Sequence, residues 1–322
     1  AKVSFIEEEV KDIDFNLKKI VLSNRPSVNY SKLVLNYGSQ TIIPKEFESL
    51  VKNRNAFSIK PFLRAYDSIL KEDIFDSVNE LPFVIVGSGL AAIEVSYALR
   101  KRWGDRPLKL LCDSRKINNT ILKSLRNSNI DLVEKLNFDY GKILLCTGNT
   151  SPLWAQKKLL DSDSYGRIIT NQNLQIKSFS GIFAVGDCAV VGSAKRPASG
   201  VFAVKVVNTL VQNLKKDIEG RSLKKWFPQK IGLQIVNIFP SHHPKAFAIY
   251  RNFVFGPSFI FWILKHKIDL NFIKKFRSKR LIMKSSEKNI SLNDCRGCAA
   301  KIPQFVLNKS LINSNLDSFA SS

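Results

Sequence analysis

The first forty residues alternate between apolar and polar positions in short runs. Residues 3–6 and 18–22 each give a run of strand length, and residues 33–35 form a third run that leads to Gly38. A period of two is typical of a half-buried strand, and the glycine indicates a turn. We therefore expect this segment to be β-structure.

The next segment, residues 46–80, follows a helical period instead. Its predicted buried face consists of Phe62, Ala65, Tyr66 and Ile69. We interpret the segment as mostly helical and as a connection between two domains.

Residues 83–112 contain a strand, a glycine-rich turn, a helix and a second strand. Residues 83–86 are wholly apolar, residues 91–102 have helical character, and residues 108–112 are mostly apolar again. This order predicts a βαβ unit, whose two strands pair in parallel. The pattern predicts further strands over residues 130–134, 142–146 and 181–187, two strands within 231–250, and a helix over 201–214.

The composition is that of a globular protein. Of 322 residues, 44% are hydrophobic and 24% are charged, which excludes wholesale disorder. No stretch without a charge, residues 252–264 included, reaches the roughly 20 residues of a membrane-spanning helix. Five cysteines, without a disulfide pattern, favour a reducing compartment and hence the cytoplasm. Cys112 and Cys146 lie in strand-like runs and are expected to be buried.

The net charge is strongly positive, since 50 Lys and Arg oppose 27 Asp and Glu, giving +23. Such a charge suits nucleic acid or an anionic membrane surface, although Lys-rich solvated faces would give the same count. The basic residues are spread along the chain without an interleaved aromatic ladder, which disfavours nucleic acid. Within residues 253–280, however, aromatic side chains precede a basic run. This segment is either an interfacial membrane helix or a core helix with a solvated basic end.

The glycine-rich turn has the spacing of a dinucleotide cradle, Gly87-x-Gly89-x-x-Ala92. Gly87 permits the tight turn, Gly89 lets a pyrophosphate approach the backbone, and Ala92 lets the helix pack close to the strand. Asp113 ends the second strand, where a carboxylate would accept a hydrogen bond from a ribose 2′-hydroxyl and repel a 2′-phosphate. The pattern favours NADH over NADPH, and the alternative is an ordinary strand–helix turn.

Three other strand ends carry candidate groups. Asp187 closes an apolar strand, where its carboxylate would either hydrogen-bond a polyol such as a ribityl chain or cap a following helix. Thr147-Gly148 ends a strand in a glycine turn, much as Gly38-Ser39 does. Two such junctions on either side of a βαβ unit indicate that a domain is inserted between them.

These motifs resemble those of the two-dinucleotide-binding flavoprotein oxidoreductases, particularly the type II NADH dehydrogenase group. The resemblance covers residues 1–280 and depends most on Val84 to Glu94, Thr147-Gly148 and Gly181 to Cys188. It implies an α/β fold of two Rossmann-like domains, in which an FAD domain is interrupted by an NAD(P)H domain. It also implies hydride transfer from NADH to FAD and electron transfer to an acceptor, a quinone or a selenium compound.

The cofactor-binding residues that the resemblance implies are Gly38, Gly87, Gly89, Leu90, Glu94, Asp113, Thr147, Gly148, Gly186, Asp187, Gly200 and Val201. Asp187 would bind the ribityl chain of FAD, and residues 197–204 would begin a helix beside the flavin ring. The family's first FAD glycine fingerprint is absent, which indicates N-terminal truncation and leaves FAD retention open. The alternative is a degenerate flavoprotein that serves as a scaffold or membrane adaptor, and a homodimer is open as well.

The predicted domain boundaries follow from these motifs. They are a partial FAD-binding domain with its connecting helix (1–81), an abbreviated NAD(P)H-binding domain (82–146), the second FAD part (147–230), C-terminal strands with a basic amphipathic segment (231–280), a linker (281–294) and a further domain (295–322). Any membrane contact would be peripheral, on the inner face, through residues 253–280.

The segment from Asp294 to Ile302 carries two cysteines. Two thiols with no nearby His are too few for a zinc site, so no metal is predicted, while a disulfide or an exposed tail stays open. The segment resembles the opening of selenophosphate synthetase (selenide, water dikinase), which implies catalytic roles for Cys298 and Lys301 and a fusion of the two enzymes. ATP and Mg²⁺ would bind in a dikinase part outside this chain.

Overall fold

The computed structural model describes residues 4–74, 81–152, 155, 160–192, 200–229, 232–238 and 243–280. The chain divides into two units after residue 266, and only residues 267–280 of the second unit are described. All strands of the described residues lie in the first unit.

Most of the strands are short, as expected because glycine and polar residues frequently interrupt the apolar runs. In chain order the strands are β1 (Val10–Asp14), β2 (Lys19–Leu22), β3 (Val28–Asn29), β4 (Leu33–Leu35), β5 (Gln40–Thr41), β6 (Ala56–Ser58), β7 (Phe83–Val86), β8 (Leu108–Leu111), β9 (Asp131–Val133), β10 (Ile143–Leu145), β11 (Asn149–Thr150), β12 (Ile168–Thr170), β13 (Ile182–Ala184), β14 (Ala189–Val191), β15 (Gln234–Ile238), β16 (Lys245–Tyr250) and β17 (Phe253–Ser258). The helices are α1 (Glu48–Lys52), α2 (Phe62–Ile74), α3 (Leu90–Trp103), α4 (Asn119–Asn127), α5 (Gly200–Ile218) and α6 (Phe259–Arg280).

The largest sheet has five parallel strands in the order β6-β10-β7-β8-β9. Its central strand β7 is fully buried, because helices cover both faces of a parallel sheet and favour a continuous apolar run. The predicted βαβ unit is confirmed, with β7 and β8 paired in parallel on either side of α3 in the sequence. The chain runs outward from β7 to β9 and returns to β7 through β10, so the strand order reverses beside β7. Ligands bind at the carboxyl ends of strands at such a reversal.

Two further parallel strand pairs lie outside this sheet. β4 pairs with β13, although about 150 residues separate them, and β12 pairs with β14. The two predicted junctions meet directly, because β5 pairs with β11 in antiparallel register. The five-stranded unit therefore lies between two halves of another α/β unit in the sequence, which confirms the α/β fold class.

The prediction that residues 46–80 are mostly helical was wrong in one respect. Residues 56–58 form β6, which hydrogen-bonds to β10 at the edge of the large sheet. The predicted helix face is also only half correct. Ala65 and Ile69 of α2 are buried, whereas Phe62 and Tyr66 are exposed. Only a narrow face of α2 therefore packs against the rest of the protein.

The C-terminal strands β15, β16 and β17 form an antiparallel sheet. Apolar residues of β15 and β16 share one core with α3, and they are Val236, Ile238, Phe247 and Ile249. The alternative of a core helix in residues 253–280 was wrong. Large apolar residues of β17 and α6 are exposed instead, namely Phe253, Phe255, Phe259, Ile260, Leu264, Ile268, Leu270, Phe272 and Ile273. Within the described part of the chain, no helix is both long enough and apolar enough to cross a bilayer.

Candidate functional site

The glycine-rich turn after β7 is tightly packed on one side. The backbone of Gly87 has φ +146°, and a Cβ at this position would lie 2.5 Å from the carbonyl oxygen of Cys146. Cys146 directly follows β10, so this contact brings the ends of two neighbouring strands together. Only glycine fits here without a backbone shift.

The other side of the turn is open. Gly89 precedes α3 with extended backbone, and nothing lies within 4 Å of a Cβ built on it. Leu90 is the first residue of α3, and Ala92 is fully buried against the sheet. The free backbone N–H groups at this helix N-terminus are therefore accessible to an anion.

A cavity of about 1000 Å³ opens at the carboxyl ends of β7, β8 and β10. Its wall is formed by Pro44, Glu46, Phe47, Leu50, Val86, Gly87, Ser88, Leu111, Cys112, Asp113, Arg115, Glu134, Lys135, Leu136, Tyr140 and Thr147. The volume is at the upper end of small-molecule sites. Gly87 and Asp113, which the sequence assigns to one cradle, thus line the same groove, and Thr147 of the predicted junction lines it as well. The size of the groove suits a dinucleotide.

Asp113 is not the unpaired acid that the sequence indicated. Its backbone N–H donates to Ser88 Oγ (2.9 Å), and its carboxylate caps the 3-10 turn Ser114–Lys116. The carboxylate accepts hydrogen bonds from Arg115 Nε (2.9 Å) and Nη2 (3.2 Å), and Lys116 Nζ lies 3.5 Å away. The hydrogen bonds from Arg115 lower the pKa of Asp113 to about 2. Sequence reasoning missed Arg115, although its place two residues after the acid was a visible signal.

Glu94 lies on α3 but is not among the described residues that line the cavity. Its carboxylate forms an ion pair with Lys265 near the start of α6. The structure therefore places Glu94 between two helices, and a direct contact with a dinucleotide stays a prediction.

A second polar centre surrounds Asp187 at the end of β13. Lys60 Nζ donates hydrogen bonds to Asp187 Oδ2 (2.8 Å) and to Ser39 Oγ (2.9 Å). The Ser39 hydroxyl lies 3.4 Å from the same carboxylate oxygen. All three side chains are part-buried, so the carboxylate is held in place yet remains reachable from solvent. Lys60 was missed by sequence reasoning, because its partner lies 127 positions away.

The turn that presents Asp187 depends on Gly186. Gly186 has φ +78°, and a Cβ here would collide with the side-chain amide oxygen of Asn36. Asp187 does not cap a helix, since strand β14 follows the 3-10 turn Gly186–Cys188. The helix-cap alternative was therefore wrong, and the acceptor alternative stands.

The paired strands β5 and β11 connect the cavity beside Gly87 with the polar centre at Asp187. Ile42 N–H donates to the carbonyl of Gly148 (3.2 Å), and Thr147 Oγ1 donates to the carbonyl of Ile42. Lys60 N–H donates to Thr41 Oγ1 (3.0 Å). Thr147 lines the Gly87 cavity while Lys60 contacts Asp187, so one hydrogen-bonded crossing joins the two centres.

The remaining predicted residues are less constrained. Gly38 has φ +73° with open space where a Cβ would lie, which fits a turn facing a ligand. Gly200 and Val201 begin α5, and Val201 is about half exposed. Residues 197–199 lie outside the described residues, as do Cys298 and Lys301.

The described thiols are free and buried. Burial raises the pKa of Cys146 to about 12 and that of Cys188 to about 11, and it also raises that of Cys112. The prediction of buried cysteines is confirmed for Cys112 and Cys146. Among the described residues, no cluster of His, Cys, Asp and Glu has the make-up of a metal site.

The residues fit the ribityl part of an FAD. Asp187 supplies a carboxylate acceptor at a strand end, Lys60 keeps it oriented, and Gly186 gives the backbone its close approach. Within the described ranges, the strand–glycine–helix cradle that suits a pyrophosphate is the one at Gly87. That cradle belongs to the five-stranded sheet, and its geometry fits a dinucleotide.

No family model matches the chain. It is 24% identical over 264 residues to human ferroptosis suppressor protein 1, covering 70% of this chain and 67% of that protein. It is 22% identical to the type II NADH:quinone oxidoreductase of Staphylococcus aureus, again over 70% of this chain and 67% of the relative. The solved sulfide:quinone oxidoreductase of Aquifex aeolicus superposes with a TM-score of 0.61 at 17% identity, covering 85% of this chain and 75% of that one. An engineered water-forming NADPH oxidase bound to NADPH has a TM-score of 0.54 at 18% identity, over 76% and 67% of the two chains.

Proposed function

We propose that this chain, which has the fold of the FAD/NAD(P)-dependent pyridine nucleotide oxidoreductases, is an FAD-dependent NADH oxidoreductase. The observation that carries the proposal is that both sites adjoin the same pair of strands, at which the chain crosses between the two α/β units. The same two strands, β5 and β11, connect the dinucleotide cavity at Gly87 with the carboxylate of Asp187. A donor and a flavin bound at these two places would lie on either side of one rigid junction.

The donor binds at the carboxyl end of β7. The N-terminus of α3 holds the pyrophosphate, Gly89 leaves room for it, and Asp113 lies where the adenosine ribose would be. Val86 and Leu111 contribute apolar surface to the groove. These groups position the donor and need not exchange protons with it.

Asp187 holds the flavin by its polyol chain, with Gly38, Thr147, Gly148 and Gly186 as the surrounding backbone. A bound flavin supplies the redox chemistry, since it accepts a hydride and releases electrons one or two at a time. Lys60 compensates the charge of Asp187, so the part-buried carboxylate does not stay unpaired when the site is closed from solvent.

The acceptor is proposed to be a quinone, because a relative is named for NADH:quinone chemistry. A selenium compound is the alternative acceptor, and it depends on the resemblance of residues 295–322 to selenophosphate synthetase. That fusion, with catalytic Cys298 and Lys301, stays a prediction on residues outside the described ranges.

A peripheral membrane contact through residues 253–280 would give access to a lipid-soluble quinone. Phe253, Phe255, Phe259 and Ile260 expose apolar surface in the first unit. Seven Lys and Arg oppose one Asp in the sequence of α6. Exposed aromatic groups beside cations favour the interface of an anionic bilayer.

The test uses the full chain incubated with FAD and then desalted. We expect a yellow protein that oxidises NADH with a soluble quinone, and an Asp187→Ala variant that loses at least 90% of the bound flavin. Asp161→Ala is the matched control, since Asp161 is an exposed acid on the same half of the chain. A colourless wild-type protein would overturn the proposal and favour the scaffold alternative.

A further inference from the structure

We propose that a second cavity, formed by the end of α3, one face of α4 and the C-terminal sheet, binds the phosphate headgroup of an anionic phospholipid. The cavity has a volume of about 900 Å³, which is within the range of small-molecule sites. The described residues that line it do not line the groove beside Gly87. The inference rests on the proposed membrane contact and adds to it a site for one class of lipid.

The lining of this cavity is strongly positive. Four cations oppose one carboxylate, which gives a net charge of +3 with His243 counted as neutral, and these charged residues are Arg100, Lys101, Asp105, Lys123 and Lys245. The groove beside Gly87 is lined instead by two cations and three acids. The excess of cations is therefore a property of this cavity and does not simply follow from the basic composition of the chain.

Two of the cations are available to a ligand. Lys123 lies on α4 and Lys245 begins β16. Among the residues that the structure describes, neither ammonium group has a carboxylate partner. A phosphate that binds between them therefore does not have to displace a carboxylate, and it would form charge-assisted hydrogen bonds with both.

The hydroxyl of Ser124 adds a neutral donor beside Lys123. Tyr97 Oη donates a hydrogen bond to Ser124 Oγ (2.8 Å), and burial raises the pKa of Tyr97 to about 12, so the phenol keeps its proton. The proton of the serine hydroxyl has no acceptor within the described part of the chain. Because Thr120 and Asn127 share this face of α4 and also line the cavity, one helix face offers a row of polar groups to a headgroup.

Arg100 holds this polar wall in place. Its guanidinium donates hydrogen bonds to the carbonyls of Arg106 (2.9 Å) and Asn129 (2.5 Å), which lie in the loops before β8 and β9. The end of α3 is thereby fastened to the loop that follows α4. The cationic wall is fixed before a ligand binds, which lowers the entropic cost of binding.

The opposite wall is apolar and is formed by Ile238, Pro244, Pro257 and Trp262. The indole of Trp262 stacks on Phe259 (5.6 Å between ring centroids) and on His266 (5.1 Å). Since these neighbours lie one turn before and one turn after Trp262 on α6, both faces of the indole are covered. A nucleobase therefore has no free aromatic face to stack on, which disfavours a nucleotide as the ligand.

The apolar wall continues into exposed apolar surface. Pro257 belongs to β17, which also exposes Phe253 and Phe255, and the exposed Phe259 packs on Trp262. A ligand that satisfies both walls has an anionic head and apolar chains. An anionic phospholipid has this division, with its phosphate on the lysines and its chains toward the surface that we propose to contact the bilayer.

The test uses short-chain lipids below the concentration at which they form micelles, so it does not depend on a bilayer. Dihexanoyl phosphatidylglycerol, dihexanoyl phosphatidylcholine and glycerol 3-phosphate are titrated calorimetrically into the full chain. We expect the phosphatidylglycerol to bind at least tenfold more tightly than either of the other two. Equal affinities for the two lipids would overturn the inference. Equal or tighter binding of glycerol 3-phosphate would overturn it too, because the ligand would then be a free phosphate ester.

Two matched double variants locate the binding. Lys123→Gln with Lys245→Gln should lower the affinity for the phosphatidylglycerol at least tenfold, since each lysine beside the phosphate contributes attraction. Lys52→Gln with Lys71→Gln removes the same charge from exposed positions on α1 and α2 and should leave the affinity unchanged. Lys123→Gln alone, at an exposed helix position, should give an intermediate loss, and circular dichroism checks that each variant is folded. Equal losses in the two double variants would overturn the inference.

The titration requires neither flavin nor donor nor vesicle. A negative result would therefore leave the proposed oxidoreductase and its apolar membrane contact intact. Conversely, a protein that binds the short-chain lipid through Lys123 and Lys245 but does not oxidise NADH would support the inference while the proposed function fails.

Discussion

At the scale of single residues, the two glycines of the turn after β7 are needed for two different reasons. Gly87 is required by the protein, since a side chain there would strike the carbonyl of Cys146. Gly89 is not required by the protein, because open space surrounds its Cα. The space at Gly89 is therefore open to the ligand that we propose.

Substitution of the two glycines should separate stability from binding. We expect Gly89→Ala to cost about 1 kcal/mol or less in the free energy of unfolding, as for other N-cap changes, yet to lower NAD⁺ affinity at least tenfold. Gly87→Ala should destabilise the protein by about 2 kcal/mol or more through its positive φ and the backbone contact. Urea denaturation and calorimetric titration give the two quantities. Wild-type NAD⁺ affinity in Gly89→Ala would contradict this assignment.

The buried thiols predict an alkaline loss of stability. Because burial raises the pKa of Cys146 from 9.0 to about 12, the native state disfavours the thiolate that the unfolded chain forms more readily. The stability is complete below pH 9 and falls as the pH rises toward 12. Urea denaturation at pH 8 and pH 10.5 should show a smaller decline in Cys146→Ala than in wild type. An equal decline in the two proteins would show that other groups cause it.

Sequence reasoning found the acids but not their partners. Asp113 and Asp187 were predicted because each ends an apolar strand, a position that the local pattern reveals. Arg115 and Lys60 were missed, and Lys60 in particular meets Asp187 only through the fold. The charge around Asp187 therefore depended on a tertiary contact that the local pattern does not contain.

At the scale of elements, a buried ion pair fastens α2 to the inserted sheet. Arg106, in the loop before β8, donates to Glu72 Oε2 (3.0 Å), and both side chains are at most 9% exposed. The guanidinium also lies over the ring of Trp103, 4.5 Å from its centroid. This contact holds α2 against the start of β8. The strand before α2, β6, was not predicted from the sequence, because its partner β10 lies far along the chain.

Breaking this ion pair should cost far more than breaking an exposed one. We expect Arg106→Met to lower the free energy of unfolding by about 3–5 kcal/mol, since Glu72 would remain buried without its cation. Lys109→Met, which removes the cation paired with the exposed Asp131, should cost about 1 kcal/mol or less. Urea denaturation compares the two variants. A double variant, Arg106→Met with Glu72→Met, should recover part of the loss, and no recovery would contradict the explanation.

At the scale of the whole molecule, charge and exposed aromatic groups occur together. The chain carries +23, and β17 with the first turns of α6 exposes Phe253, Phe255, Phe259 and Ile260. The sequence identified this segment but left its burial open, because its apolar residues do not follow one clear helical face. The fold class, by contrast, was predictable, since a glycine cradle between two apolar strands allows few arrangements.

The exposed aromatic groups should govern attachment to vesicles. We expect the full chain to co-sediment with vesicles of phosphatidylcholine and phosphatidylglycerol, and high salt to reverse part of the binding. Phe255→Ser with Phe259→Ser should lower the bound fraction at least fivefold. Phe227→Ser, an exposed aromatic change elsewhere, is the control and should have no effect. Equal binding by the double variant and wild type would contradict the membrane contact.

The ion pair between Lys265 and Glu94 couples the start of α6 to α3. Glu94 lies one turn into α3, the helix that begins at the glycine-rich turn, so cutting the chain before residue 259 would remove the cation that pairs with this carboxylate. The bare charge would then repel incoming phosphates, and a shortened protein would show a raised KM for its donor for reasons unrelated to lipid. Lys265→Met in the full chain should reproduce that increase in the absence of vesicles, whereas an unchanged KM would show the two helices to be electrostatically independent.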